Sequence, residues 1–63
     1  MNTTQTDRSE LLKLIAATKQ AIKTLDTALY IAHDNRDGDA ISALYNLRSK
    51  LMTELFDLQT KAL

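Results

Sequence analysis

Apolar residues recur through the first half of the chain at alternating intervals of four and three positions. Residues three or four apart are neighbours on a helical surface, so this spacing predicts one apolar seam along an α-helix. The seam has a single polar member and comprises Leu11, Ile15, Thr18, Ile22, Leu25, Leu29 and Ala32. Three further residues lie beside it and widen it to about three positions in seven, as is typical of a bundle helix: Leu14, Ala21 and Ala28.

The second half of the chain repeats the pattern with leucine. Its seam comprises Leu44, Leu47, Leu51, Leu55, Leu58 and Ala62. We therefore predict a first helix over about 7–33 and a second over about 40–62. The polar residues 1–6 are expected to form a flexible N-terminal segment.

The intervening segment 34–39 contains no apolar residue, so it is predicted to be the turn. Asn35 and Gly38, the one glycine of the chain, can adopt the left-handed conformation that ends a helix. Asp37 or Asp39 can cap the second helix, because a carboxylate accepts hydrogen bonds from free backbone N–H groups at a helix start. Thr6 or Asp7 is expected to cap the first helix in the same way.

Two helices joined by a short turn predict an all-α fold, an antiparallel helical hairpin. Its predicted core is Leu11, Ile15, Ile22, Leu25, Leu29, Leu44, Leu47, Leu51, Leu55 and Leu58. These apolar residues face each other when paired residue numbers sum to about 73. The same register places Asp26 next to Arg48 and Lys19 opposite Glu54, as ion pairs flanking the core.

The second helix carries a further apolar stripe that one hairpin does not need. The stripe and two apolar residues of the first helix form the predicted interface, which comprises Ile41, Tyr45, Met52, Phe56, Leu63, Tyr30 and Ile31. Soluble monomers seldom expose a large contiguous apolar patch. Two interpretations remain open: two hairpins pair through this stripe as a homodimeric four-helix bundle, or the stripe binds another protein.

Composition narrows the possible chemistry. The 63 residues form one small domain with no cysteine and one histidine, which excludes disulfides and any histidine metal cluster within one chain. The acidic turn does not match a calcium-binding loop, because Gly38 at its sixth position would place Leu44 where the loop requires glutamate. We expect no cofactor, no metal and no enzymatic activity. Catalysis normally needs a general base, a nucleophile and a group that orients them, and the sequence contains no such combination.

Charge argues against a dedicated nucleic-acid binder. Eight basic and eight acidic residues give a formal net charge of zero, whereas such proteins are usually basic. The first helix is locally basic, however, and Lys13, Lys19 and Lys23 are the contacts that an RNA-associated hairpin dimer would use. This is the alternative function, together with a structural subunit of a larger assembly.

The sequence therefore favours a small non-enzymatic regulator or adaptor that acts by protein–protein binding. An inhibitor that occupies a partner's groove is the natural mechanism for such a surface, and small phage or plasmid genes can encode inhibitors of this size. No apolar run approaches the length of about 20 residues that spans a membrane. Residues 1–6 contain no apolar secretion signal, so a cytoplasmic location is expected.

Overall fold

The computed structural model describes residues 3–63, with side chains described from Arg8 onward. Two α-helices, α1 (Thr3–Asp34) and α2 (Gly38–Lys61), are the elements of this part of the chain, and they pack against each other. The sequence prediction of an all-α helical hairpin is confirmed. The hairpin is a rod that measures 53 × 15 × 14 Å.

Both helices extend closer to the turn and the N-terminus than the sequence predicted. α1 begins at Thr3, so Thr6 and Asp7 lie within the helix and neither is its N-cap. Of the predicted flexible segment 1–6, residues 3–6 are helical and residues 1 and 2 lie outside the described residues. The connection between the helices is three residues long, 35–37.

A left-handed residue ends α1, and this residue is Arg36 at φ 54°, where Asn35 or Gly38 was expected. The backbone N–H of Arg36 donates to the carbonyl of His33 at 3.1 Å. The N–H of Asp37 donates to the carbonyl of Ala32 at 3.0 Å. This pair of bonds is the Schellman arrangement, which satisfies two carbonyls that the helix end would otherwise leave free.

Asp37 also starts α2, directly after it closes α1. Its side-chain Oδ1 accepts a hydrogen bond from the N–H of Ala40 at 3.2 Å, which makes it the N-cap. Its backbone carbonyl accepts the first bond of the new helix, from Ile41 at 2.9 Å. Gly38 is therefore the first helical residue, and its φ is not positive. The chain reverses over three residues because one residue serves both helix ends.

Burial is unequal between the two helices. The buried residues of the described chain are Ile15, Ile22, Leu29 and Ala32, all on α1. Helix α2 has no buried residue. The residues that complete the seam are half-buried and comprise Leu11, Thr18, Leu25, Ile41, Leu44, Arg48, Leu51, Leu55, Leu58 and Ala62. Thr18 fits this seam because its hydroxyl donates to the Leu14 carbonyl at 2.8 Å.

The seam of α2 differs from the prediction at two places, Ile41 and Leu47. Leu47 was placed in the core, but half of it is exposed, and the half-buried Arg48 lies in the seam in its place. Arg48 Nε donates to Asp26 Oδ1 at 2.7 Å, so the predicted ion pair is confirmed. A helix seam with Ile41 and Arg48 keeps the alternating steps of three and four, which Leu47 would interrupt. Among residues 8–63, this is the only ion pair, and the predicted Lys19–Glu54 pair does not form.

The open end of the hairpin is closed by one long-range hydrogen bond. Arg8 Nη1 donates to the carbonyl of Ala62 at 2.7 Å, across 54 positions of sequence. A cation at the C-terminus of a helix is favourable because the last carbonyls carry partial negative charge. The bond joins the first described side chain of α1 to the end of α2.

Replacing Arg36 with glycine should stabilise the hairpin. A left-handed conformation costs an L-residue about 1–2 kcal/mol, and glycine adopts it without that cost. The gain is partly offset by the larger entropy of glycine in the unfolded chain, so we expect a net increase of about 0.5–1 kcal/mol in the free energy of unfolding. Urea unfolding at a fixed chain concentration measures it.

Gly38→Ala is the matched control for that substitution. A Cβ at position 38 meets nothing within 4 Å, and the backbone there is not left-handed, so this variant should be neutral or more stable. If Arg36→Gly left the free energy of unfolding unchanged while Gly38→Ala lowered it, residue 38 would be the position that needs glycine.

Removing the carboxylate of Asp37 should destabilise the hairpin. Asp37→Ala leaves the N–H of Ala40 without its acceptor, and loss of an N-cap costs about 1 kcal/mol. Asp37→Ser should recover most of the loss, because a hydroxyl can accept the same bond. Asp39→Ala, in the first turn of the same helix, should cost less, and equal losses at both positions would contradict a specific cap.

Candidate protein-binding faces

The hairpin exposes two broad sides, one on each side of its seam. His33 contacts Tyr45 and Asp26 contacts Arg48, so these residues of α1 and α2 share one side. An open depression of about 300 Å³ marks the opposite side, and its lining comprises Leu14, Thr18, Glu54, Asp57, Leu58 and Lys61. Helical spacing of three, four and seven residues then assigns the remaining exposed side chains to one side or the other.

The first side carries the aromatic residues of the chain. On α2, Tyr45, Met52 and Phe56 are exposed at intervals of seven and four. On α1, Leu12 and Tyr30 belong to the same side, because Tyr30 lies within a turn of both Asp26 and His33. We call this set the aromatic face. Its most exposed members are Tyr30 at 77% and Phe56 at 68%.

His33 holds one residue of the aromatic face in place. Its Nε2 lies 3.4 Å from the hydroxyl of Tyr45, and the two rings meet edge to face with centroids 6.0 Å apart. Edge-to-face packing is a favoured geometry for aromatic pairs, since a ring edge is positive and a ring face negative. The contact places the Tyr45 ring against α1 within the hairpin.

The electrostatics of the aromatic face are basic. Lys19 and Lys23 lie on α1 at helical spacing from Asp26, and neither is in an ion pair among residues 8–63. From Arg8 to the end of α1, the acidic residue on this side is Asp26, which is paired with Arg48. Two lysines that are in no ion pair among residues 8–63 therefore lie on α1, on the same side of the hairpin as the exposed rings of α2.

The opposite side carries exposed aliphatic side chains and charges of both signs. Three exposed aliphatic side chains define it with two half-buried alanines, and we call this set the aliphatic face: Leu14, Ala21, Ala28, Ile31 and Leu47. The α2 edge of this face carries two lysines and two acids, which are Lys50, Glu54, Asp57 and Lys61. These four charges sum to zero.

The structure divides the interface predicted from sequence. Tyr30, Tyr45, Met52 and Phe56 come together, whereas Ile41 is half-buried in the seam. Ile31 lies on the aliphatic face, because it is three residues beyond Ala28 and ten beyond Ala21. Leu63 is fully exposed beyond the end of α2.

Sequence reasoning missed three exposed leucines. Leu12 was not singled out, although it stands seven residues before Lys19 on the aromatic side. Leu14 and Leu47 were assigned to the core or its border, yet each is about half exposed. The signal was present in the width of the α1 pattern, because a stripe of three positions in seven extends beyond what one neighbouring helix covers.

The lysines of the alternative nucleic-acid function do not form one patch. Lys19 and Lys23 are one turn apart on the aromatic side. Lys13 is six residues before Lys19, about a third of a turn around the helix, and points to the outer surface of α1. Only two of the three predicted contacts therefore share a surface.

The described residues contain no group of three His, Cys, Asp or Glu side chains that could hold a metal ion. Neither helix has, within those residues, a stretch long and apolar enough to cross a bilayer. Comparison with protein-family models, curated proteins and solved structures finds no match to this chain. The two faces are thus the features from which a function can be argued.

The Asp26–Arg48 pair should contribute little to stability and more to the charge of the aromatic face. Its side chains are 50% and 36% exposed, so solvent screens their attraction. A double-mutant cycle with Asp26→Asn and Arg48→Gln should give a coupling energy of about 0.2–1 kcal/mol that falls as salt is added. Urea unfolding measures it, and a salt-independent coupling would contradict an exposed pair.

Proposed function

We propose that this chain is a small non-enzymatic adaptor or regulator that binds an acidic amphipathic α-helix of another protein on its aromatic face. The observation that carries the proposal is the exposure of Phe56 and Tyr30 on the side of the hairpin where two lysines are in no ion pair among residues 8–63. Apolar contacts supply affinity in this arrangement, and the lysines select the charge of the partner.

The apolar part of the face suits a helix in length and composition. Tyr45 and Phe56 are eleven residues apart on α2, or about 17 Å at 1.5 Å per residue. A partner helix of about three turns spans that distance and presents apolar residues at intervals of three and four. Aromatic residues and methionine are enriched at protein interfaces. Aromatic rings bury much area with few rotatable bonds, and the flexible methionine side chain adapts to an irregular partner surface.

The charge of the face favours a partner over a second copy of this chain. A copy that docked through the same face with its α1 against this α1 would bring Lys19 and Lys23 near their equivalents, and like charges across an interface are unfavourable. Glutamates or aspartates beside the apolar stripe of a partner helix would instead pair with both lysines. The resulting attraction also raises the association rate at low salt.

Inhibition is the regulatory outcome that such binding produces most directly. A helix held on the aromatic face is no longer available to the groove that it occupies in its own complex. The chain would then act by mass action, without chemistry, and its effect would follow its concentration relative to the dissociation constant. An adaptor role requires only that the chain holds a second protein elsewhere.

Synthetic peptides test the proposal because they reproduce the charge and the apolar stripe of the expected partner helix. Two labelled peptides of about 18 residues, each about 27 Å long as a helix, share one leucine stripe and differ only in flanks of glutamate or lysine. We expect the glutamate peptide to bind at least about tenfold more tightly, a difference of about 1.4 kcal/mol. Fluorescence anisotropy measures both affinities, and added salt should reduce the difference.

Phe56→Ala should weaken binding of the glutamate peptide by about tenfold or more, as expected for an aromatic anchor. Leu47→Ala is the matched control, because Leu47 is also exposed but lies on the other face, and it should leave the affinity unchanged. Equal binding of the two peptides, or full affinity after loss of the Phe56 ring, would refute the proposal.

A further inference from the structure

The isolated hairpin has more surface than a compact protein of its mass. The chain exposes 5039 Å² at 7.1 kDa, whereas a compact monomer of that mass exposes about 4100 Å². A two-helix rod thus exposes more surface than a compact fold, and each partner of a standard protein interface buries roughly 800 Å². Helix α2 contains no buried residue, so the surface that remains to be covered includes one side of α2.

The aliphatic face continues the hairpin seam without a break. Leu14, Ala21 and Ala28 alternate with the buried residues of α1, and the depression beside Leu14 opens onto this side. A helix whose apolar stripe is this wide is typical of a four-helix bundle, where each helix contacts two neighbours. The aromatic face has no such continuity on α1, because Lys19, Lys23 and Asp26 interrupt it.

We infer that a second copy of this chain covers the aliphatic face and forms a two-fold symmetric four-helix bundle. The two-fold axis passes opposite Ala21, with the two α1 helices antiparallel. Leu14 then meets Ala28 of the other copy, so a large side chain packs against a small one at both ends of the contact. The small residue at the centre lets the two α1 helices approach closely.

The charged side chains on the α2 edge of the aliphatic face are compatible with the same two-fold axis, and they support it independently of the apolar contacts. Asp26 contacts Arg48, so paired residue numbers sum to about 74 and the axis lies close to Met52 on α2, midway between Lys50 and Glu54 on the neighbouring edge. Each Lys50 therefore meets Glu54 of the other copy, and the pairing occurs twice because the interface is isologous. An edge with two lysines and two acids can complement itself in this way, which the basic aromatic face cannot. The inference does not require the aromatic face to bind a partner.

Solution mass tests the inference directly. Analytical ultracentrifugation of the full chain at micromolar concentration should give twice the 7.1 kDa chain mass. Leu47→Glu and Ile31→Glu should each give the single-chain mass, because each places charge in the contact. Both residues are about half exposed in the hairpin, so one hairpin does not need them, and circular dichroism at the same concentration verifies helicity. Phe56→Glu, on the aromatic face, should remain dimeric.

A charge exchange provides a second test that leaves the apolar core intact. Lys50→Glu should weaken the dimer by about threefold to tenfold, as expected for two exposed pairs, and adding Glu54→Lys should restore it. A single-chain mass for the natural sequence would overturn the inference. The inference would also be overturned if Phe56→Glu dissociated the dimer while Leu47→Glu and Ile31→Glu left it unchanged. A third contrary result is that Glu54→Lys fails to restore the dimer weakened by Lys50→Glu.

Discussion

The three-residue connection decides which sides of the two helices share a surface. Asp37 closes α1 through its N–H and opens α2 through its carboxylate, so no spare residue lets the second helix rotate or slide. Once α2 is fixed against α1, each helix has one side in the seam and one on each exposed face. The contacts at His33–Tyr45 and Asp26–Arg48 are consequences of that placement, and so is the position of Lys19 and Lys23 on the same side as the rings of α2.

The fold could be predicted from sequence because its two signals are strong and agree. The interval of four and three along α1 repeats from Leu11 to Ala32 with one polar member, Thr18, and the six residues of the turn region include no apolar side chain that could continue a seam. The helix boundaries could be predicted less closely than the seam, for a physical reason. Polar residues at the start of α1 have no seam to mark them, and Arg36 adopts a conformation for which its own preference is poor. Neighbouring hydrogen bonds impose that conformation, and such bonds leave no mark on the residue type.

The two exposed faces were harder to predict than the fold, because the sequence of α2 is compatible with two seams. One passes through Leu47 and the other through Ile41 and Arg48. Leucine at 47 is more apolar than arginine at 48, so residue type alone favours Leu47 in the core. The rotation of α2 fixed by the short connection places Arg48 beside Asp26 of α1, which accepts its guanidinium at 2.7 Å. The same rotation keeps Ile41 in the seam and leaves Leu47 exposed. Contacts with the other helix, which residue type does not record, thus assign residues between the core and the surface.

The two proposed interfaces lie on opposite sides of each hairpin, and this has a consequence for binding strength. A bundle formed through the aliphatic faces leaves both aromatic faces on its outer surfaces, related by the two-fold axis and pointing away from each other. Each dimer then offers two equivalent sites. A partner that is itself dimeric, or that carries two acidic helices on a linker long enough to reach around the bundle, would bind the second site as an intramolecular event. Modest affinity at each aromatic face would then suffice for tight binding, without any further contact on a chain of this size.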